Sequence, residues 1–255
     1  MLNDKTGLIL GVANKRSIAW AIAKAADREG ARLVLTYQNE RLLKTIVSLA
    51  EELTTKPILV PCDVTDVDQV EHLFTKIGEE CGHLDFLVHA LAFAKKEELV
   101  GAFHATSLEG WRLAMEISAY SLPALTRCAL PLMEGRRASI LTLSYLGGTR
   151  VVPHYNVMGV AKSALESSVR YLAHDLGPQG HRVNAISAGP IKTLAAAGIT
   201  GFSRMMDQVA SRAPMGRNVE LTEVADAAIF LLSGRSSGIT GEVLHVDAGY
   251  HVMGV

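Results

Sequence analysis

Cysteine is scarce in this chain. Cys62, Cys81 and Cys128 are the only three among 255 residues, far apart and without a Cys-x-x-Cys pair. That excludes a disulfide framework and a cysteine zinc site, and leaves reduced, buried thiols as the expected state. An excess of one charge is also lacking. Twenty-five Lys and Arg stand against 26 Asp and Glu, a formal net charge of −1. A protein whose main partner is nucleic acid carries a basic excess, so that class is excluded. No uncharged apolar run reaches the ~20 residues of a membrane span, and no charged-then-apolar leader opens the chain. A cytoplasmic protein is expected. His89, His154, His174 and His181 make no metal-ligand spacing with one another or with an acid, so no metal is expected. The Gly-x-Gly-x-x-Gly fingerprint is absent. So are linkers, repeats and low-complexity stretches, and one domain over residues 1–255 is expected.

What is present is apolar and regular. Hydrophobic residues make up 49% and charged residues 20%, enough for a large core. Gly7 to Val12 is a short apolar run that suits a strand buried on both faces. Ser17 to Glu29 then has helical spacing and stops at Gly30. Ala31 to Tyr37 reads as the next strand, completing a βαβ unit. The alternation continues with a helix over Asn39–Leu53 and a strand over Pro57–Cys62, then a helix over Asp66–Glu80 and a strand over Leu84–Ala90. A long helical stretch over Ser107–Met133 precedes a strand over Ala138–Leu143. A helix over Pro153–Leu176 precedes a strand over His181–Ser187. Leu221–Leu232 reads as helix and Glu242–Val246 as the last strand. Seven strands alternating with helices predict an α/β, Rossmann-like, doubly wound parallel sheet with helices on both faces.

Ligands of such sheets bind beyond the carboxyl ends of the strands. The first strand ends in Gly11, which permits a tight turn, and Ser17 stands where a helix begins. Free N–H groups and a hydroxyl at a helix N-terminus suit a pyrophosphate. After the second strand comes Gln38, where a dinucleotide fold usually has an acid for the ribose or an arginine for a 2′-phosphate. In the stretch from Ser144 to Lys162, Tyr155 and Lys162 are seven residues apart, close to two helical turns, and so are expected on one helix face. An ammonium beside a phenol favours phenolate, so a lowered Tyr155 pKa is expected.

These residues carry a resemblance that covers essentially the whole chain. Gly-x5-Ser-Ile-Ala at the first turn and Tyr-x9-Tyr-x6-Lys at Tyr145, Tyr155 and Lys162 are its most specific parts. Ser187-Ala-Gly-Pro-Ile-Lys-Thr-Leu-Ala-Ala-Ala-Gly-Ile199 and the ending Ile-Thr-Gly-Glu-Val-Leu-His-Val-Asp add to it. The chain resembles the bacterial enoyl-[acyl-carrier-protein] reductases of the FabI type, a divergent branch of the short-chain dehydrogenase/reductase family. Ordinary members of that family carry Thr-Gly-x3-Gly-x-Gly, Tyr-x3-Lys and an Asn on the central helix. Here Ile117-Ser118-Ala119-Tyr120 stands in the Asn region.

The resemblance implies NADH-dependent reduction of the trans-2 double bond of enoyl thioesters carried on acyl carrier protein, in type II fatty acid elongation. It implies Tyr155 as donor to the enolate oxygen, Lys162 on the nicotinamide ribose, and Tyr145 beside the substrate. Gly11, Ser17, Ile18 and Ala19 would line the pyrophosphate. Gln38 would lie near the adenosine ribose, with Asp63 and Val64 at the adenine. Leu91 and Ala92 would run along the cofactor, and Ile191 and Thr193 would flank the nicotinamide and phosphates. Gln38, not being basic, favours NADH over NADPH. Ala94, Tyr145, Tyr155, Met158, Ala195, Ile199, Phe202 and Met205 would form the acyl pocket. A substrate-binding flap is expected over about 194–211. A homotetramer packed through the long helices is implied, with the small residues Ala161, Ala164, Ser168 and Ala173 permitting close contact. The competing reading is a reductase of 3-oxoacyl thioesters or other ketones from the same superfamily.

Overall fold

Five consecutive buried residues, Thr6–Leu10, form the first strand, β1. Leu8 and Leu10 pack into one apolar cluster and Ile9 into another, because successive side chains of a strand point to opposite faces. A strand apolar on both faces belongs inside a sheet covered on both sides. In the computed structural model, which describes residues 1–193 and 201–254, β1 lies inside such a sheet, flanked by a strand on either side.

The other strands are β2 (Arg32–Tyr37), β3 (Ile58–Pro61), β4 (Phe86–His89), β5 (Ser139–Ser144), β6 (Arg182–Ala188) and β7 (Val243–Val246). They pair in the order β3-β2-β1-β4-β5-β6-β7, every pair parallel. Helices α1 (Ile18–Arg28), α2 (Glu40–Ala50) and α8 (Leu221–Leu232) bury apolar residues on one face. Helices α3 (Val67–Cys81), α5 (Ser121–Met133) and α6 (Val157–Leu176) do so on the other. Two further helices, α4 (Leu108–Met115) and α7 (Phe202–Arg212), lie near the strand ends. This is the doubly wound sheet that the alternation predicts. The chain runs outward from β1 to β3, then returns to the other side of β1 with β4. That reversal opens a crevice beyond the carboxyl ends of β1 and β4.

Two expected helices differ in the structure. The stretch Ser107–Met133 is helical, but Glu116–Tyr120 winds as a π turn between α4 and α5. Pro123 accounts for it: its nitrogen has no hydrogen for the carbonyl four residues back, and its ring presses on that carbonyl. The helix widens just ahead of it, and the Ser121 hydroxyl donates to the Ile117 carbonyl at 2.6 Å.

Helix α6 begins at Val157, not at Pro153. His154 and Asn156 have φ of 63° and 39°, backbone that no right-handed helix contains. Tyr155 therefore sits in a turn ahead of the helix, and the seven-residue spacing is not what brings it to Lys162. Of the small residues expected at a subunit contact, Ala161 and Ala173 are already buried in this chain.

Candidate active site

Two cavities of about 410 and 390 Å³ open along the carboxyl edge of the sheet. Gly11, Ala13, Leu91, Ala92 and Phe93 wall both, so the two form one groove across the β1–β4 crevice. Gly11, Ser17, Ile18 and Ala19 line the larger cavity at the first turn, and Ile191 and Thr193 line it after β6. Tyr145, Tyr155, Met158, Lys162, Ala94 and Phe202 line the rest of it. Gln38, Asp63 and Val64 line the smaller one. Met205 lines neither, but the Tyr145 hydroxyl donates to its sulfur at 3.5 Å. Ala195 and Ile199 lie outside the described residues.

The first turn is built to receive an anion. Gly11 has φ 97°, and a Cβ there would stand 2.1 Å from the Ala90 carbonyl oxygen, so only glycine fits. No side chain caps α1, which leaves first-turn N–H groups facing the groove. The Ser17 oxygen accepts from the Ala13 and Asn14 N–H groups, both at 3.0 Å. Those two bonds fix the loop and leave the hydroxyl proton for a ligand.

At the other end, Gln38 donates through Nε2 to Asp63 Oδ2 at 2.8 Å. Thr65 gives two more bonds to Asp63 Oδ1, from its N–H at 3.0 Å and its hydroxyl at 2.7 Å. Burial alone would raise the Asp63 pKa, but these donors hold it below the usual carboxylate range. Three donors against about four lone-pair directions leave one for an amino group. A second anion beside this carboxylate would be repelled.

The groove is most apolar around Tyr155, which packs with Ala114, Val157 and Met158. Tyr145, just after β5, meets it edge to face with ring centroids 5.1 Å apart. Burial, then Tyr145 and Glu166, push the Tyr155 pKa well above the ordinary phenol value. The expected lowering by Lys162 is not found. The Lys162 Nζ donates to the Leu143 carbonyl at 2.7 Å, and Lys162 itself is buried. Its own pKa is pushed down to about 8 by burial, against the opposing effect of Glu166. Burial likewise takes Tyr145 up to about 12, with Tyr250 adding to it.

Several residues that shape the site went unread in the sequence. A Cβ on Gly147 would stand 2.4 Å from the Tyr155 ring, so this glycine lets the ring lie where it does. The adjacent Gly-Gly between the two tyrosines was the available signal. Asn156 Nδ2 donates to the carbonyls of Glu98 and Gly101, both at 3.3 Å, tying the Tyr155 turn to the loop after β4. Buried His89 touches Thr142 Oγ1 at 2.8 Å through Nδ1 and Ser121 Oγ at 2.7 Å through Nε2. Burial, then Lys162, lower its pKa to about 3, so it is neutral and one of the two hydroxyls must donate to it. Each hydroxyl also has a carbonyl to donate to, Ile117 for Ser121 at 2.6 Å and His89 itself for Thr142 at 3.1 Å, so the ring and the two hydroxyls form one closed buried network. His89 is thus a satisfied core histidine.

A parallel sheet with a nucleotide-sized groove at its switch point, ending in a Tyr–Lys pair, defines a nicotinamide-dependent oxidoreductase. Comparison with known proteins narrows this. The model of the family described as enoyl-(acyl carrier protein) reductase matches residues 11–251. The enoyl-[acyl-carrier-protein] reductase [NADH] of Aquifex aeolicus is 52% identical over all of this chain and 94% of its own length. A Staphylococcus aureus relative named for NADPH is 49% identical over 99% of this chain and 98% of its own. The crystal structure of the Anaplasma phagocytophilum reductase in complex with NAD superposes with a TM-score of 0.95 at 51% identity, covering 100% of this chain and 96% of that one. The chain belongs to the enoyl-[acyl-carrier-protein] reductase family.

Proposed function

We propose that the groove carries out the family's reaction, the NADH-dependent reduction of the trans-2 double bond of an enoyl thioester on acyl carrier protein. The observation that carries this reading is the convergence of Tyr145, Tyr155, Lys162 and the uncapped α1 terminus on one cavity. Reduced nicotinamide, when bound, supplies the hydride that adds to the β-carbon. The first-turn N–H groups and Ser17 hold the pyrophosphate, Lys162 the nicotinamide ribose, and Gln38 and Asp63 the adenosine. Negative charge then grows on the thioester oxygen as an enolate, and a proton taken up at the α-carbon completes the saturated thioester. Tyr155, kept neutral by its surroundings, donates a hydrogen bond to that oxygen. Tyr145 and Met158 hold the acyl chain against it.

Phe202 and Met205, on α7, support a cover over the acyl end, tethered by the Tyr145–Met205 contact. The chain acts as one domain. Leu108, Tyr120 and Tyr171 are well exposed on or between α4, α5 and α6, which supports the homotetramer implied by the resemblance. Among the described residues no helix is long and apolar enough to cross a membrane, and we place the protein in the cytoplasm.

The test is loss of reduced-nicotinamide absorbance with a crotonyl thioester, NADH and NADPH in parallel. Turnover with NADH at least about tenfold above NADPH is expected, since the carboxylate of Asp63 beside Gln38 opposes a 2′-phosphate. Consumption of a 3-oxoacyl thioester in place of the enoyl one would overturn the reading. A second expectation concerns Gly147. Gly147→Ala drives a methyl into the Tyr155 ring, so the hydroxyl shifts by a fraction of an ångström to about one. That should lower kcat about 100-fold with little change in NADH affinity, read from steady-state rates and fluorescence titration.

A further inference from the structure

Glu166 is a buried carboxylate just behind the residues that line the site, and it touches neither substrate nor cofactor in the proposed reaction. It lies one helical turn beyond Lys162 on α6, so the two side chains lie on the same side of the helix. Among the described residues no cation lies within ion-pair distance of it. Its Oε1 accepts from the Ser144 hydroxyl at 2.5 Å, and Ser144 and Lys162 both line the cavity. A Cβ on Gly148 would stand 2.9 Å from the same oxygen, so the glycine makes room for the carboxylate. A buried carboxylate left without a partner cation is costly unless a charge nearby balances it.

We propose that Glu166 is a positioning residue that keeps Lys162 in its charged form, and so extends NADH binding to higher pH. The proposal rests on Lys162 holding the cofactor. The remaining neighbours of Lys162 do not supply that charge. From β4 comes His89, which is neutral; from the turn before α6 comes Tyr155, also neutral; from β5 come only the Leu143 carbonyl and the Ser144 hydroxyl. Tyr145 beside Tyr155 stays neutral to about 12. Behind Glu166 lies His245 of β7, stacked on His251, which pairs with Asp247. Burial, then His251, lower the His245 pKa, so it is uncharged well below the range in which Lys162 loses its proton. Burial alone favours neutral Lys162, and Glu166 works against it.

The test is the dissociation constant of NADH from pH 6.5 to 10 for the full-length protein and for Glu166→Gln, by fluorescence titration. Gln keeps the volume and the acceptor for Ser144. In the wild type, affinity should fall about tenfold per pH unit above a limb near the Lys162 pKa of about 8. In Glu166→Gln the limb should begin about one pH unit lower, giving roughly tenfold weaker binding at pH 9 and equal binding at pH 6.5. Glu166→Asp, which keeps the charge, should restore the wild-type limb. Superimposable profiles, or a loss that is uniform across pH and persists in Glu166→Asp, would overturn the role of Glu166 and leave that of Lys162 standing. No alkaline limb in the wild type, with Lys162→Gln binding NADH equally well, would overturn both.

Discussion

Replacing Tyr155 by Phe should lower kcat about 100- to 1,000-fold while NADH affinity stays within about twofold. The range is what the loss of one preorganised donor at a developing oxyanion costs. Phe keeps the ring, so the packing with Val157, Met158 and Ala114 and the edge-to-face contact with Tyr145 survive. Only the hydroxyl is lost, and the enolate oxygen is then left without its donor at the apolar end of the groove. The raised Tyr155 pKa adds a second, separable expectation. A phenol held above its ordinary value stays protonated across the working range. The alkaline limb of kcat/KM therefore belongs to Lys162, not to Tyr155. Stopped-flow turnover together with a cofactor titration tests both statements. A Tyr155→Phe enzyme that turns over at the wild-type rate would remove the tyrosine from the chemistry. Tyr145→Phe is the control: its hydroxyl meets Met205, so its loss should cost less than tenfold.

Much of this was legible in the sequence, for identifiable reasons. The parallel, doubly wound sheet follows from short apolar runs alternating with helical periodicity; the order of its strands comes from the structure. Leu8, Ile9 and Leu10 are all apolar because both faces of β1 are covered. Gly11, Ser17 and the Tyr–Lys pair could be placed because they follow strands, and strand ends are where such sheets bind. What escaped was conformational. Nothing in the order His-Tyr-Asn declares two positive φ values, so Tyr155 was expected inside a helix that starts after it. Pro153 encouraged the error, since proline suits both a helical first turn and the turn that is found. The direction of the Tyr155 shift was missed for another reason. Proximity of an ammonium could be inferred from spacing, but burial could not, and burial dominates. The Gly147 and Gly148 contacts depend on what lies across the groove, the Tyr155 ring and Glu166, and spacing does not reveal that.

The same burial makes Lys162 a liability to the fold, and Lys162→Met should expose it. The ligand-free variant should be more stable than the wild type at neutral pH, while NADH binding weakens at least about 30-fold for want of the buried donor. The pKa of Lys162 lies at about 8 in the folded protein, against 10.5 for a free side chain. Below pH 8 the proton is held in both states, and the folded state bears the full cost of the buried charge. Between pH 8 and 10.5 the unfolded chain holds more protons than the folded one, so wild-type stability rises with pH. That gap corresponds to on the order of 3 kcal/mol. Methionine removes the cost but strands the Leu143 carbonyl, which takes back about 1–2 kcal/mol. The net gain of about 1–2 kcal/mol should raise Tm by roughly 3–6 °C at pH 7 and shrink towards pH 10. Thermal melts at both pH values read it directly. A variant less stable at pH 7, or an advantage that does not change with pH, would mean that Lys162 is not a charged group under strain. If the advantage appears, NADH is what offsets the cost in the working enzyme. The ribose hydroxyls would add hydrogen bonds to the one that the ammonium makes with the Leu143 carbonyl, and cofactor binding would be favoured in part because it relieves the fold of the cost of a buried charge.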